Sequence, residues 1–264
     1  MLPPNLLALL IQAAAWSKEP ACRDLLSVEL FAGQMEITRA MLAKDASAVA
    51  YDKAYHPGED LEDITTARGF ARALGLVMRI CPGGSLWAAP VCSSWGFIGR
   101  AQTQRSPFNP AGNRMNRKVK HANRMVVLTC MLMVLAWTRE VHLWLEQPQT
   151  TIMHRFSPAA ELVAHILKHK QSVFLSSYGQ ASTKPLVIWC SHCVVAKLKR
   201  QKPRSTSRKL YFKDKKGRTQ GHAGALKESA AYPPQFGRAV AELFCSLLSE
   251  TGKAKPVKKR KHFQ

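Results

Sequence analysis

Three positions carry side chains whose type and setting could do chemistry before any element is assigned. Cys92 stands in LWAAPVCSSWGFI, after an apolar run and Pro90 and before two serines and Trp95. A thiolate is a strong nucleophile, whereas most free cysteines are buried small hydrophobes that react with nothing. Cys92 is therefore either core or poised to attack. Gly33, in VELFAGQMEITRA, marks a turn between an apolar run and a helical pattern, where the missing Cβ lets a ligand approach the backbone. Asp52 closes AVAYD about twenty residues on, and a carboxylate at such a strand end can accept hydrogen bonds from both hydroxyls of a ribose.

Those residues need a scaffold, and the hydropathy pattern supplies one. Short apolar runs (SVELFAG, AVAYD, GSLWAAP, VHLWLEQP, QSVFLSSYG and KPLVIWC) alternate with helical patterns over about 36–44, 65–79, 119–137 and 158–169. Strands separated by helices predict an α/β fold: a doubly wound, mostly parallel sheet with helices on both faces. Ligands in such folds bind beyond the carboxyl ends of the strands, which is where Gly33, Asp52 and Cys92 fall. The stretch Val119 to Trp137 repeats its apolar residues at 119, 122, 126, 130, 133 and 137 and also carries Lys120, His121, Asn123 and Arg124. Steps of three and four mark a buried amphipathic helix, and no membrane association is expected. A last helix is predicted over about 234–249.

Composition narrows the partner. The 264 residues hold 39 Lys and Arg against 17 Asp and Glu, a formal charge of +22, which favours a polyanion and hence nucleic acid. Seven cysteines show no paired framework, as expected in a reducing compartment. CSHC, 190–193, offers two thiols and an imidazole but no second pair to complete a zinc site, so no metal is expected. Four regions follow: an N-terminal helical extension (1–24), a main domain (25–193 with 226–250), a basic insert or hairpin (194–225) and a basic tail (251–264). PVKKRK, 256–261, predicts nuclear import or a nucleic-acid contact.

Several of these segments, in order, resemble motifs of the DNA (cytosine-5)-methyltransferases. ELFAG (29–33) is similar to that family's S-adenosylmethionine loop, YD (51–52) and EDI (62–64) to its next two motifs, and APVCSS to its Pro-Pro-Cys segment. WLEQP (144–148) resembles the Glu-Asn-Val motif, SSYGQASTKPLVIW the Tyr-Gly segment before an arginine-bearing strand, and YPPQFGRAVAELF the final helix. Met35 stands where the family carries a second glycine, Val91 where it has proline, and only Lys184 where its strand carries arginines. No large target-recognition domain is present in the sequence.

The resemblance implies a Rossmann-like methyltransferase fold and methyl transfer from S-adenosyl-L-methionine to C5 of cytosine, in DNA by preference and in RNA as an alternative. It assigns Cys92 as the nucleophile and Glu146 as the acid that holds the base. It places Phe31, Ala32, Gly33, Asp52, Asp63, Ile64 and Pro90 around the cofactor. Arg100, Arg105, Arg114, Arg117, Lys118, Lys184, Arg200 and Arg208 are the expected nucleic-acid contacts. A monomer is expected. The reading from another class is a methyltransferase-like nucleic-acid-binding protein without turnover.

Overall fold

The computed structural model describes residues 23–201, 211–215, 217, 219–221, 224 and 229–250. The N-terminal extension up to 22, Arg208 and the tail with 256–261 lie outside the described residues. Six strands form one sheet: β1 (Leu25–Leu30), β2 (Ala48–Tyr51), β3 (Ile80–Ala88), β4 (His142–Pro148), β5 (His169–Phe174) and β6 (Pro185–Cys190). Their spatial order is β2-β1-β3-β4-β6-β5. The β1–β2, β1–β3 and β3–β4 pairs are parallel, whereas β6 runs antiparallel to both neighbours. The reversal follows from chain length. A parallel return needs a crossover of about a dozen residues or more, and only the short connection through Leu175–Tyr178 separates β5 from β6.

Alternating side chains bury the sheet on both faces. On one face Val28, Leu86, Ala88, Leu143, Leu145, Val187 and Trp189 pack against α2 (Ala67–Met78), α3 (Arg117–Thr138) and α4 (Ala159–His165). On the other, Leu26, Trp87, Trp144, Leu186, Ile188 and Cys190 pack against α1 (Glu36–Leu42) and α5 (Pro234–Glu250). α3 is long and apolar enough to cross a membrane by length and composition, and 61% of that window is buried inside the protein. Its residues 119, 122, 126, 130 and 133 are buried as the repeat predicts, but Trp137 is 43% exposed although Val134, Leu135 and Ala136 just before it are buried, so the repeat leaves the core at the last helical turn.

Two close approaches fix the helices that flank the site. A Cβ on Gly237 of α5 would lie 2.4 Å from the carbonyl oxygen of Glu36, so glycine is what lets α5 seat on the start of α1. A Cβ on Gly69 of α2 would lie 2.0 Å from the Asp63 carbonyl oxygen, and the same glycine's carbonyl accepts the Tyr51 hydroxyl at 2.9 Å. The basic insert begins later than predicted. Val194, Val195 and Leu198 lie in a short helical turn and are buried, because this segment closes the α1/α5 face. Beyond it, β7 (Tyr211–Lys213) and β8 (Thr219–Gly221) pair as the expected hairpin. The predicted helix over 158–169 is shorter, since β5 already begins at His169.

Candidate active site

Strand register sets the site. Leu30 pairs with Tyr51 and with Ala88, and Ala88 pairs with Leu145, so Phe31, Asp52, Ala89 and Glu146 begin the next row at one edge of the sheet. Because β6 is antiparallel, its first residues reach the same edge: Leu186 pairs with Pro148, and Lys184 directly precedes the strand.

The turn after β1 is held by the next strand. Asp52 accepts the Gly33 amide on Oδ2 at 3.0 Å and the Ala54 amide on Oδ1 at 2.8 Å, while the Tyr55 hydroxyl donates to the Gly33 carbonyl at 3.0 Å. Phe31, Gly33 and Met35 all have left-handed backbone, with φ of 61°, 53° and 58°. For Phe31 and Met35 that conformation costs roughly 1–2 kcal/mol each, and it explains why a glycine suits the position of Met35. No atom lies within 4 Å of a Cβ built on Gly33, so the space above the turn is open. Beneath it, Glu29 Oε2 accepts the Thr38 amide at 2.8 Å and its hydroxyl at 2.7 Å, capping α1 from the strand. Glu29 Oε1 is buried with no hydrogen-bond partner. Burial pushes this carboxyl up to about 7, with the Thr38 bonds opposing.

Asp63 accepts the Thr65 amide at 2.9 Å and its hydroxyl at 2.6 Å. Burial raises its pKa, but the Thr65 bonds outweigh this and hold it below the usual carboxylate value. Ile64 is 1% exposed and part of the hydrophobic core, so only its backbone remains for the cofactor contact assigned to it.

The loop from Pro90 is clamped to β4. Buried Gln147 donates from Nε2 to the Pro90 carbonyl at 2.5 Å and accepts the Thr151 hydroxyl at 3.3 Å, and the Trp95 carbonyl accepts the Ile152 amide at 3.2 Å. Trp95 is fully buried against Phe156. Cys92 stays half-buried between these anchors, unlike the core thiols Cys130 and Cys190, which burial pushes up to about 12. Burial also raises the Cys92 thiol, the nearby Glu146 carboxyl adds to this, and Lys184 opposes it. Glu146 is 6% exposed. Its carboxyl is raised by burial, with Lys184 and a hydrogen bond from Tyr232 opposing. The Lys184 ammonium donates to the Ser229 carbonyl at 2.8 Å, and Tyr232 packs edge-on against Trp87. Cys92, Glu146, Lys184 and Tyr232 thus form one electrostatic cluster. Sequence reasoning assigned no role to Tyr232 or to Gln147, although Gln147 lies in WLEQP at the place where the resembled motif carries asparagine.

The predicted nucleic-acid contacts separate into two groups. Arg114 is exposed just before α3, and Arg117 and Lys118, exposed at its start, line an open cleft of about 950 Å³ that reaches Ser93, Gln102 and His121. Arg105 is instead a correction, being 2% exposed. Its guanidinium stacks 3.4 Å over Trp95 and donates to the Pro110 carbonyl, Ser94 Oγ and Asn123 Oδ1, so it braces the loop from within. Burial lowers its pKa to about 10. Arg200 is occupied over the Tyr178 ring at 3.9 Å, and Arg100 donates to the Thr150 carbonyl at 2.8 Å. Among the described residues no group of three or more His, Cys, Asp or Glu could hold a metal ion. Comparison of the chain with family models, characterised proteins and solved structures gives no match.

Proposed function

We propose that this protein is an S-adenosylmethionine-dependent methyltransferase acting on C5 of cytosine in nucleic acid, DNA by preference, built on a doubly wound methyltransferase-type fold. The observation that carries the proposal is the meeting of Cys92, Glu146 and Lys184 at the sheet edge that also holds Gly33 and Asp52. The cofactor fits this edge. Open space lies above Gly33, and Asp52 is fixed by two amides with lone pairs to spare. Bound S-adenosylmethionine would supply an electrophilic methyl group on a positively charged sulfur.

The chain's own residues account for activation of the base. Cytosine C5 is a weak nucleophile until a thiolate adds to C6. Cys92 forms that S–C6 bond, and the displaced π electrons build up toward C5 and N3. Glu146, with its proton held tightly by burial, donates to N3 and stabilises the adduct. Once C5 carries the transferred methyl group, loss of the C5 proton to a base re-forms the C5–C6 double bond and expels the Cys92 thiolate, and the N3 proton returns to Glu146. Lys184 favours the thiolate against burial and against Glu146. The base must leave its stack, at a cost of a few kcal/mol, and the exposed cations at the start of α3 offset this through phosphate contacts.

The test is covalent trapping with an oligonucleotide containing 5-fluorocytosine, which blocks the elimination, in the presence of S-adenosylmethionine. An adduct mapped by mass spectrometry to Cys92, and lost in Cys92→Ser, is the expected result. An adduct at Cys81 or Cys130, or none at all, overturns the mechanism.

A further inference from the structure

The segment that follows Cys92 displays apolar side chains where a folded surface normally hides them. Of the eight large hydrophobic residues exposed among the described residues, five (Val91, Phe97, Ile98, Phe108 and Met115) fall within 91–115. Phe108 is 99% exposed and Met115 92%.

Phe108 is held out by a braced turn. The Ser106 amide donates to the Asn109 carbonyl at 3.1 Å, the Asn109 amide donates to Ser106 Oγ at 2.9 Å, and the Gly112 amide donates to the Asn109 carbonyl at 3.2 Å. Buried Arg105 ties the base of the turn to Trp95, and Asn123 of α3 reaches the Ala111 carbonyl at 3.0 Å. A turn braced by so many bonds carries Phe108 out into water, where the ring gains nothing, so the turn makes sense as a presented side chain.

Charge decides what it meets. No Asp or Glu occurs anywhere from Val91 to Arg139, while exposed Arg114, Arg117, Lys118 and Lys120 follow the turn in the sequence. An exposed apolar tip on a segment that carries cations and no carboxylate fits a phosphodiester strand whose bases offer π faces.

We propose that Phe108 is a base-stacking wedge that packs on a nucleobase of the strand held at Cys92, with the neighbouring cations gripping the phosphates. The proposal rests on the nucleic-acid reading above and names the residue that engages the bases without reading their sequence.

The experiment titrates the full chain with a fluorescent single-stranded oligonucleotide and a duplex of the same sequence at several salt concentrations. It compares wild type, Phe108→Ala, Phe108→Trp and Arg117→Ala. Stacking on one base corresponds to about 5- to 150-fold in affinity. Phe108→Ala is expected to weaken binding within that range without changing the salt slope, since it removes no charge. Phe108→Trp is expected to restore affinity, and Arg117→Ala to flatten the slope by about 0.7 to 0.9.

Because the ring is fully exposed, the unfolding midpoint of Phe108→Ala should match wild type and so exclude misfolding. Wild-type affinity in Phe108→Ala with a steep salt slope overturns the wedge and leaves the nucleic-acid reading intact. A change in sedimentation coefficient in place of a change in affinity assigns the tip to contact between two copies and overturns it too. Absence of salt-dependent binding by wild type overturns both.

Discussion

Replacing Glu29 by glutamine should make the protein more resistant to alkaline pH. Glu29 is 2% exposed, capping α1 through Thr38 with one oxygen and leaving the other unpartnered, and its pKa is raised from 4.5 to about 7. A carboxyl whose folded pKa is raised stabilises the fold fully below the unfolded value of 4.5, and that contribution is lost as pH climbs through 7. The difference of 2.5 pH units corresponds to about 3.4 kcal/mol, of which about 2.5 falls between pH 5 and 8.5. Glutamine keeps an oxygen for the Thr38 amide and hydroxyl but cannot ionise. The assay is denaturant unfolding of both proteins across pH 5 to 8.5. The stability of Glu29→Gln relative to wild type should rise by about 2.5 kcal/mol over that window. Asp24 and Asp63, whose pKa values are lowered, titrate below the window and drop out of the difference. A stability difference that stays flat from pH 5 to 8.5 would refute the reasoning, because it would mean that Glu29 is ionised in the fold at acid pH.

Asp52→Ala removes the acceptor for the Gly33 and Ala54 amides, so calorimetry should show S-adenosylmethionine affinity reduced about ten- to a hundredfold. Unchanged affinity would detach Asp52 from the cofactor. Tyr232→Phe deletes the hydroxyl that stabilises ionised Glu146, so the Glu146 pKa should rise further. The alkaline limb of adduct formation with the 5-fluorocytosine oligonucleotide should then move to higher pH; a limb that stays in place or moves down contradicts the role given to Glu146.

The sequence by itself determined the elements and much of the site's edge, because both are written in short-range pattern. Apolar runs and three-to-four spacing marked the six strands of the sheet and the long helix, and a glycine turn and an acidic strand end marked two residues that the fold joins by a hydrogen bond. Pairs joined only through space were invisible. Gln147 reaches Pro90 across 57 positions, and Tyr232 reaches Glu146 from the far end of the chain. Neither contact leaves a periodic trace. Arg105 and Phe108 show the limit most clearly, since hydropathy places the guanidinium in water and the ring in the core. The fold does the reverse. Trp95, Ser94, Pro110 and Asn123 together give the guanidinium a stacking partner and three acceptors that offset part of its loss of water, while Phe108 on the Ser106–Asn109 turn is left 99% exposed. The direction of β6 was settled likewise by tertiary structure, because an apolar run reads the same both ways and only the length of its connection selects antiparallel pairing.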